Sequence, residues 1–313
     1  MLDRRTVPET WLVVVLALVA LACRGDAPGR PRRVHDGSAR SDGGGGVAGE
    51  EPPPVAVCAG ADCEPFLVAE LPTHRGIALT LGAGFAYVGA LYDDAIYRVP
   101  LQPGAPPVIL YRSPGADVSG IEVRGDALRW SSIAAGAIYE APLSGTGPIR
   151  VVADGLPGIW GFASSDDSIY WMDFAGSAPG MVWKRATEGG PSTGLGRDPG
   201  SRVAVSLLLD GPGGDILYSD RTSRVMRMPA GGGPATVWAD LGGRRQSAGL
   251  AEDEAHVYVA AQTSNDVMRI DRRTGTAEIF ARSEHTLAAV AVDETTVYWL
   301  NYADPVAVRG KRK

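Results

Sequence analysis

Histidine and arginine residues at matching spacings are the clearest candidates for chemistry in this sequence. The chain holds only four histidines, of which His74 and His285 are 211 residues apart. Tyr87 and Tyr298 show the same separation. The two histidines therefore occupy equivalent positions in units that repeat along the chain. Arg75 follows His74 directly, and imidazole and guanidinium groups together are suited to binding carboxylates and phosphates.

The same register places arginines at equivalent positions of other units. Arg245 stands at that position in the fifth unit with Arg244 beside it, and Arg202 lies near it in the fourth. If the units form a ring, one end of the ring gathers a basic patch of His74, Arg75, Arg202, Arg244, Arg245 and His285. This patch favours an anionic ligand. The alternative is a solvated ring of loops, in which the cations pair with acids such as Asp117 and Glu284.

Catalytic motifs are not found in the sequence. It contains no Walker loop, GxSxG elbow, HExxH motif or EF-hand loop. The adjacent acids Asp93-Asp94 and Asp166-Asp167 fall in predicted turns, where acids are common. A metal site of the two histidines with Glu284 as a third ligand is an alternative, but no cofactor is predicted. The residues favour a binding module, with a hydrolase or lyase at the same end of the ring as the alternative.

A strand-like element with an aromatic or bulky residue at its centre recurs along the chain. Its central residues are Tyr87, Arg129, Tyr170, Tyr218, Tyr258 and Tyr298. The steps between them are 42, 41, 48, 40 and 40 residues. The long third step contains residues 211–214, GPGG, which predict an enlarged hairpin loop. Further short apolar segments accompany the element in most units, and the segment that opens the fourth unit is predicted at 203–205.

Four short strands in about 42 residues are the size of one blade of a β-propeller. Helical periodicity is absent between the strands, which argues against βαβ units. We therefore predict an all-β fold over residues 55–313, a six-bladed β-propeller with four-stranded blades. The innermost strands then line a central channel. His74 and His285 precede innermost strands of neighbouring blades, so we expect both at one channel mouth.

Closure of the ring is predicted from a strand count. The last unit has no fourth strand before Lys313, and residues 65–70, PFLVAE, precede the first unit without a blade of their own. We predict that this N-terminal strand closes the last blade, which removes an exposed sheet edge. The last five residues carry a net charge of +4, and this basic tail is interpreted as a frayed end.

The residues around the repeated tyrosine resemble those of a known family. The segments IYWMD (169–173) and YWLN (298–301) resemble the YWTD repeat of six-bladed propellers. The segments LYSD (217–220) and VMRMP (225–229) resemble its longer pattern. The chain is also similar to bacterial envelope propellers of the TolB and NHL type. The resemblance implies a propeller that binds proteins or ligands, with the repeated Tyr and Trp side chains as core between blades.

The N-terminus predicts export and a lipid anchor. Arg4 and Arg5 precede WLVVVLALVALA, an apolar run of 12 residues that fits a signal peptide and is too short to span a bilayer. The run ends at Cys23 in a pattern that resembles the bacterial lipobox. The resemblance implies a lipoprotein signal peptide over 1–22 and lipidation of Cys23. Arg24 after it favours the outer membrane of the cell envelope. An ordinary signal-peptidase site is the alternative.

Residues 23–54 are predicted to be a flexible tether, because runs of glycine and proline with few large apolar residues cannot form a core. Cys58 and Cys63 follow the tether in CAGADC. An exported protein permits a disulfide between them. A zinc site is the weaker alternative, because two thiolates do not complete one.

The charge distribution limits the classes of partner. The formal net charge is −6, and residues 55–308 carry about −10. An acidic body repels nucleic acid, so a nucleic-acid binder is excluded. Membrane contact is expected only through the lipid anchor. The partner is left open among a protein, a glycan and a small anion, and we expect a monomer.

Overall fold

The computed structural model of the protein describes residues 64–313, except 116, 157, 174–179, 198–205, 212–213, 221, 244 and 304. This part of the chain contains 24 β-strands and no helix, and accordingly no helix in it could span a membrane. The predicted signal peptide and tether lie outside the described residues, as do Cys23, Cys58 and Cys63.

The strands form six four-stranded antiparallel sheets, numbered here as blades in chain order. Blades 1 and 2 are β2 (Gly76–Gly82), β3 (Phe85–Ala90), β4 (Ala95–Pro100), β5 (Val108–Arg112), β6 (Val118–Arg124), β7 (Ala127–Ser132), β8 (Ala137–Pro142) and β9 (Arg150–Ala153). Blades 3 and 4 are β10 (Ile159–Ser164), β11 (Ser168–Asp173), β12 (Met181–Ala186), β13 (Thr193–Arg197), β14 (Leu207–Leu209), β15 (Ile216–Ser219), β16 (Arg224–Met228) and β17 (Thr236–Asp240). Blades 5 and 6 are β18 (Ser247–Glu252), β19 (His256–Ala261), β20 (Asp266–Asp271), β21 (Ala277–Arg282), β22 (Leu287–Val292), β23 (Thr296–Asn301) and β24 (Ala307–Arg312), completed by β1 (Phe66–Glu70).

The blades form a closed ring. The innermost strand of each blade contacts the innermost strand of the next, and β2 of blade 1 contacts β22 of blade 6. The sheet of blade 6 has the order β1-β24-β23-β22, with Phe66 opposite Gly310 and Glu70 opposite Ala307. The predicted six-bladed β-propeller is therefore confirmed, and so is its closure by the N-terminal strand.

The interpretation of the basic tail as a frayed end is wrong. Residues Ala307–Arg312 form β24, which lies between β1 and β23. Val308 is fully buried, whereas Arg309 and Lys311 are half-buried. The alternation of buried and exposed residues that marks a strand is difficult to recognise in this segment, because basic residues dominate its composition. The backbone N–H of Lys313 also donates to the carbonyl of Thr295 at 2.9 Å.

Blade 4 begins later than the sequence indicates. The structure places its opening strand at Leu207–Leu209, and the predicted segment 203–205 lies outside the described residues. Leu207 is opposite Tyr218 and Leu209 is opposite Ile216, so the register leaves residues 210–215 as the connection. The enlarged hairpin loop predicted around 211–214 is thus confirmed.

The repeated aromatic residues form the core between blades. Trp130, Trp171 and Trp299 are fully buried on the second strands of their blades. Each hydrophobic cluster joins two successive blades; one of them contains Tyr87 of blade 1 and Trp130 of blade 2. The second strands are buried on both faces because each blade lies between two others. This burial stabilises the ring by about 1.5–3 kcal/mol for each large side chain.

Candidate functional site

The segments before the innermost strands meet at one end of the channel, here called the mouth. His74 and Arg75 directly precede β2, and His285 shortly precedes β22. Since β2 and β22 are neighbours, these residues flank the boundary between blades 6 and 1, here called the 6/1 seam. Arg245 shortly precedes β18 in blade 5, so it lies at the mouth but away from the seam.

Arg245 is bound to the protein itself. Its Nε lies 3.0 Å from Oδ2 of Asp266, a carboxylate whose side chain is only 6% exposed. Its Nη1 donates to the carbonyls of Leu241 at 2.9 Å and Gly242 at 2.7 Å. The guanidinium therefore joins the connection before blade 5 to that blade, and its charge is neutralised. Arg202 and Arg244 of the expected basic patch lie outside the described residues.

Arg75 lies between two tyrosine rings. Its guanidinium carbon is 4.9 Å from the ring centroid of Tyr302 and 5.8 Å from that of Tyr92, and it donates a hydrogen bond to the Tyr302 hydroxyl. Among the described residues, no carboxylate lies within ion-pair distance of Arg75. Stacking on aromatic faces holds a guanidinium in place without neutralising its charge. As far as the described residues extend, the 6/1 seam therefore carries a cation that is held in position and not paired with a carboxylate.

The two tyrosines were missed at the level of sequence. Tyr302 directly follows β23 of blade 6 and is buried, while Tyr92 follows β3 of blade 1 and is 49% exposed. The connection after a second strand returns to the same end of the ring as the segment before a first strand. An aromatic residue just after the second strand is therefore the signal that would have found them.

The connections of blades 1 and 2 at the mouth contain unusual backbone geometry. Tyr92, Asp94 and Asp117 have positive φ values of 77°, 52° and 62°. Such conformations are uncommon for residues with side chains and concentrate at functional sites. The N–H of Asp117 donates to Asp94 Oδ1 at 3.3 Å. Burial, with the nearby charge of Asp94, raises the pKa of Asp117.

The two histidines of the mouth differ in exposure. His74 is exposed and His285 is half-buried, and within the described part of the chain neither forms an ion pair. The backbone N–H of His285 donates to Ser283 Oγ at 3.2 Å. In the same residues, no three His, Cys, Asp or Glu side chains lie close enough together to hold a metal ion.

Solved structures share this fold. Regucalcin from Agrobacterium tumefaciens, described as a calcium-binding protein, has a TM-score of 0.61 and 16% identity, covering 79% of this chain and 92% of its own. A streptogramin B lyase has a TM-score of 0.59 and 12% identity, covering 80% and 97%. A chain of a nidogen/laminin complex has a TM-score of 0.57 and 18% identity, covering 67% and 81%.

These neighbours include a YWTD propeller and streptogramin-lyase-like propellers of the NHL kind. They support the predicted fold resemblance, but at such identities they show the fold alone. No protein-family model and no curated protein matches the chain.

Proposed function

We propose that the protein is a lipid-anchored binding module of the bacterial cell envelope, and that its propeller binds an anionic ligand at the 6/1 seam of the mouth. The single observation that carries the ligand class is Arg75. Its guanidinium is held over Tyr302 and Tyr92 without a neutralising carboxylate among the described residues.

The chemistry of the seam fits a carboxylate or a phosphate. A guanidinium binds both groups through paired N–H donors. His74 and His285 precede the same two innermost strands and add positive charge when they are protonated. The exposed ring of Tyr92 offers an apolar face next to the charge. A local cation on a protein of net charge −6 attracts an anion to this seam rather than to the rest of the surface.

A thermal-shift screen tests the ligand class. The purified protein is heated with carboxylates, phosphates, sugars and divalent metals. A ligand present at one hundred times its Kd adds about 2.7 kcal/mol to the native state. We expect a carboxylate or phosphate to give a shift that is smaller in Arg75→Gln than in the wild type. Arg282→Gln is the matched control. Arg282 belongs to blade 5 and its side chain is 77% exposed; its Nε lies 3.7 Å from Oδ1 of Asp266. Equal shifts in both variants would place the ligand elsewhere.

A hydrolase or lyase at the same seam is the second candidate, and the similarity of fold to a streptogramin B lyase favours it. An enzyme consumes the compound that it binds. Each compound that gives a shift is therefore incubated with the protein and followed by NMR for product. A product that Arg75→Gln no longer forms would establish the enzyme, whereas an unchanged compound supports the binding module. A screen without any shift would instead favour a protein partner.

The lipid anchor is tested separately from the ligand. The full chain is expressed in a bacterium with radiolabelled palmitate and the membranes are isolated. We expect labelled protein in the membrane fraction and loss of the label in Cys23→Ser. An exported but unlabelled wild-type protein would favour the ordinary signal-peptidase site.

A further inference from the structure

Blade 2 departs from the other blades at one position of the repeat. In five blades a tyrosine of the second strand is opposite a small or apolar residue, or a threonine, of the first strand. These pairs are Ala163 with Tyr170, Leu207 with Tyr218, Ala251 with Tyr258, Ala291 with Tyr298, and Thr80 with Tyr87. In blade 2 the same pair is Glu122 with Arg129. A charged pair thus replaces the aromatic packing of the repeat.

The charged pair continues across the whole blade. Arg129 is opposite Glu140 on the third strand, and Glu140 is opposite Arg150 on the fourth. Nη1 of Arg129 lies 3.8 Å from Oε1 of Glu122, and Nε of Arg129 lies 2.6 Å from Oε2 of Glu140. Arg150 Nε donates to Oε1 of Glu140 at 2.8 Å. Alternating charges on all four strands therefore form a chain from the innermost strand to the rim, called here the blade-2 charge chain.

The blade-2 charge chain is not explained by stability. The side chains of Glu140 and Arg129 are only 5% and 13% exposed. Burying such charges costs free energy that well-packed apolar residues avoid. The other blades show that a tyrosine with an uncharged partner serves the fold at this position. Residues that do not suit the local fold in this way are expected at functional sites.

Arg129 of the blade-2 charge chain also borders an open hollow between blades 2 and 3. The hollow has a volume of about 500 Å³ and is lined by Arg124, Gly125, Arg129, Ser165 and Asp166. Gly125 and Ser165 belong to the turns that follow the innermost strands β6 and β10. The hollow therefore lies at the end of the ring opposite the mouth, away from Arg75.

The two arginines of the hollow retain hydrogen-bonding capacity. Arg129 directs Nε to Glu140 and donates from Nη1 to Ser164 Oγ at 2.9 Å. Its Nη2 donates no hydrogen bond within the described part of the chain. Arg124 forms an ion pair with Asp166, whose side chain is fully exposed. Exposed ion pairs contribute little to stability, so an incoming anion can replace Asp166.

We propose that this hollow binds a small oxyanion, a carboxylate or a sulfate- or phosphate-like group, between the guanidinium groups of Arg124 and Arg129. Both arginines line the hollow, and guanidinium groups bind such anions through paired donors. This site differs in place and residues from the 6/1 seam, so it stands or falls independently of the function proposed there.

Glu122 makes the site dependent on pH. It accepts hydrogen bonds from the hydroxyl and the N–H of Ser164, the latter at 3.1 Å. Burial raises the pKa of Glu122 to about 7, although Ser164, Arg129 and Arg124 favour the ionised form. Of the strands of the neighbouring blades that pack against β6, β2 and β10 bring no titratable side chain and β3 brings only Tyr87. An ionised Glu122 therefore competes with an incoming anion for Arg129.

Protonation of Glu122 changes the charge balance of the hollow. Among the residues that line the hollow, Arg124 and Arg129 are positively charged and Asp166 is negatively charged. The neutral form thus leaves one positive charge in excess, whereas the ionised form leaves none. Affinity for an anion should therefore rise as the pH falls through about 7.

Isothermal titration calorimetry with sulfate and with succinate tests the proposal at pH 6 and pH 8. Sulfate keeps its charge over this range, so a pH effect on its binding reports the protein. With a pKa of about 7, the fraction of protein with a neutral Glu122 is about tenfold larger at pH 6 than at pH 8. We therefore expect sulfate to bind about tenfold more tightly at pH 6. Glu122→Gln should bind at both pH values as tightly as the wild type does at pH 6. Arg124→Gln should bind at least tenfold more weakly at pH 6.

Two controls keep the result specific. Arg273→Gln removes an exposed arginine from a turn at the same end of the ring in blade 5, and it should bind as the wild type does. Arg75→Gln removes the cation of the mouth and should leave this binding unchanged. Binding that is lost in Arg75→Gln but kept in Arg124→Gln would overturn the proposed site in the hollow and support anion binding at the mouth. No binding of either probe, or equal binding at the two pH values, would also overturn the proposal.

Discussion

Lys313, the last residue of the chain, forms an ion pair with Asp253 of blade 5, with 2.9 Å between Nζ and Oδ2. In the same way, Lys311 Nζ donates to the carbonyl of Phe280 at 3.2 Å. Both contacts join blade 6 to blade 5. The basic C-terminus therefore holds two blades together, and the ring is stabilised by residues at both ends of the propeller sequence.

Asp253→Asn should weaken this contact. Asp253 Oδ1 also accepts the backbone N–H of Ala255 at 3.0 Å and of His256 at 2.8 Å. Burial alone would raise the pKa of Asp253, but hydrogen bonds from Lys313 and the backbone outweigh it, so the pKa is lowered. The stabilisation is therefore present above the ordinary Asp pKa and is lost as the pH falls through the lowered value. We expect a loss of about 1–3 kcal/mol at pH 7 in urea unfolding.

Glu254→Gln is the matched control for Asp253→Asn, because Glu254 is the exposed neighbouring residue. It should change the free energy of unfolding by less than about 0.5 kcal/mol. Equal effects of the two substitutions would show that the Asp253 contacts do not contribute to stability.

Glu122→Gln should increase stability above neutral pH. Burial raises the pKa of Glu122 to about 7 from its ordinary value of 4.5. The folded state therefore binds this proton more tightly than the unfolded chain does. The resulting stabilisation is complete below pH 4.5 and is lost as the pH rises through about 7, a change of about 3 kcal/mol. Urea unfolding from pH 4.5 to 8 should show this loss in the wild type and not in Glu122→Gln. Glu278→Gln, in which the replaced side chain is 59% exposed, should retain the loss.

The fold was predictable because its information is local and repeated. The second-strand element and its turns recur in every unit, with Arg129 in place of the tyrosine in the second unit. A count of strands was therefore enough to predict six blades and to assign residues 65–70 to the last one. The C-terminal strand was missed because its alternation is weak beside four basic residues. Only the pairing of β24 with β23 and β1 reveals it.

The site residues were only partly predictable, because their contacts depend on ring closure and register. Arg75 and Tyr302 are 227 residues apart and meet only where blade 6 adjoins blade 1. Arg129 was recognised as the counterpart of the repeated tyrosines. Its link to Glu140 and Arg150 depends on which residues lie opposite each other across strands, and spacing along the chain does not reveal that.

Gly249→Ala should destabilise the channel wall. A Cβ at Gly249 would lie 2.6 Å from Ala289 Cα and 2.9 Å from the backbone nitrogen of Val290. These atoms belong to the innermost strand of blade 6, so only glycine permits this approach. We expect a loss of about 1–3 kcal/mol in urea unfolding. Gly231→Ala is the control, because a Cβ there meets no atom within 4 Å; a loss of similar size at both positions would refute the steric explanation.

Val68→Asp should open the ring, whereas Leu67→Asp should not. The two residues are neighbours on β1, but Val68 is 1% exposed and Leu67 is 41% exposed. A carboxylate at Val68 would be buried without a partner, at a cost of at least about 3 kcal/mol. Detachment of β1 would expose the edge of β24 and promote self-association. Urea unfolding with light scattering should show lower stability and larger particles for Val68→Asp, and wild-type behaviour for Leu67→Asp. Closure by β1 would be dispensable if Val68→Asp stayed monomeric with unchanged stability.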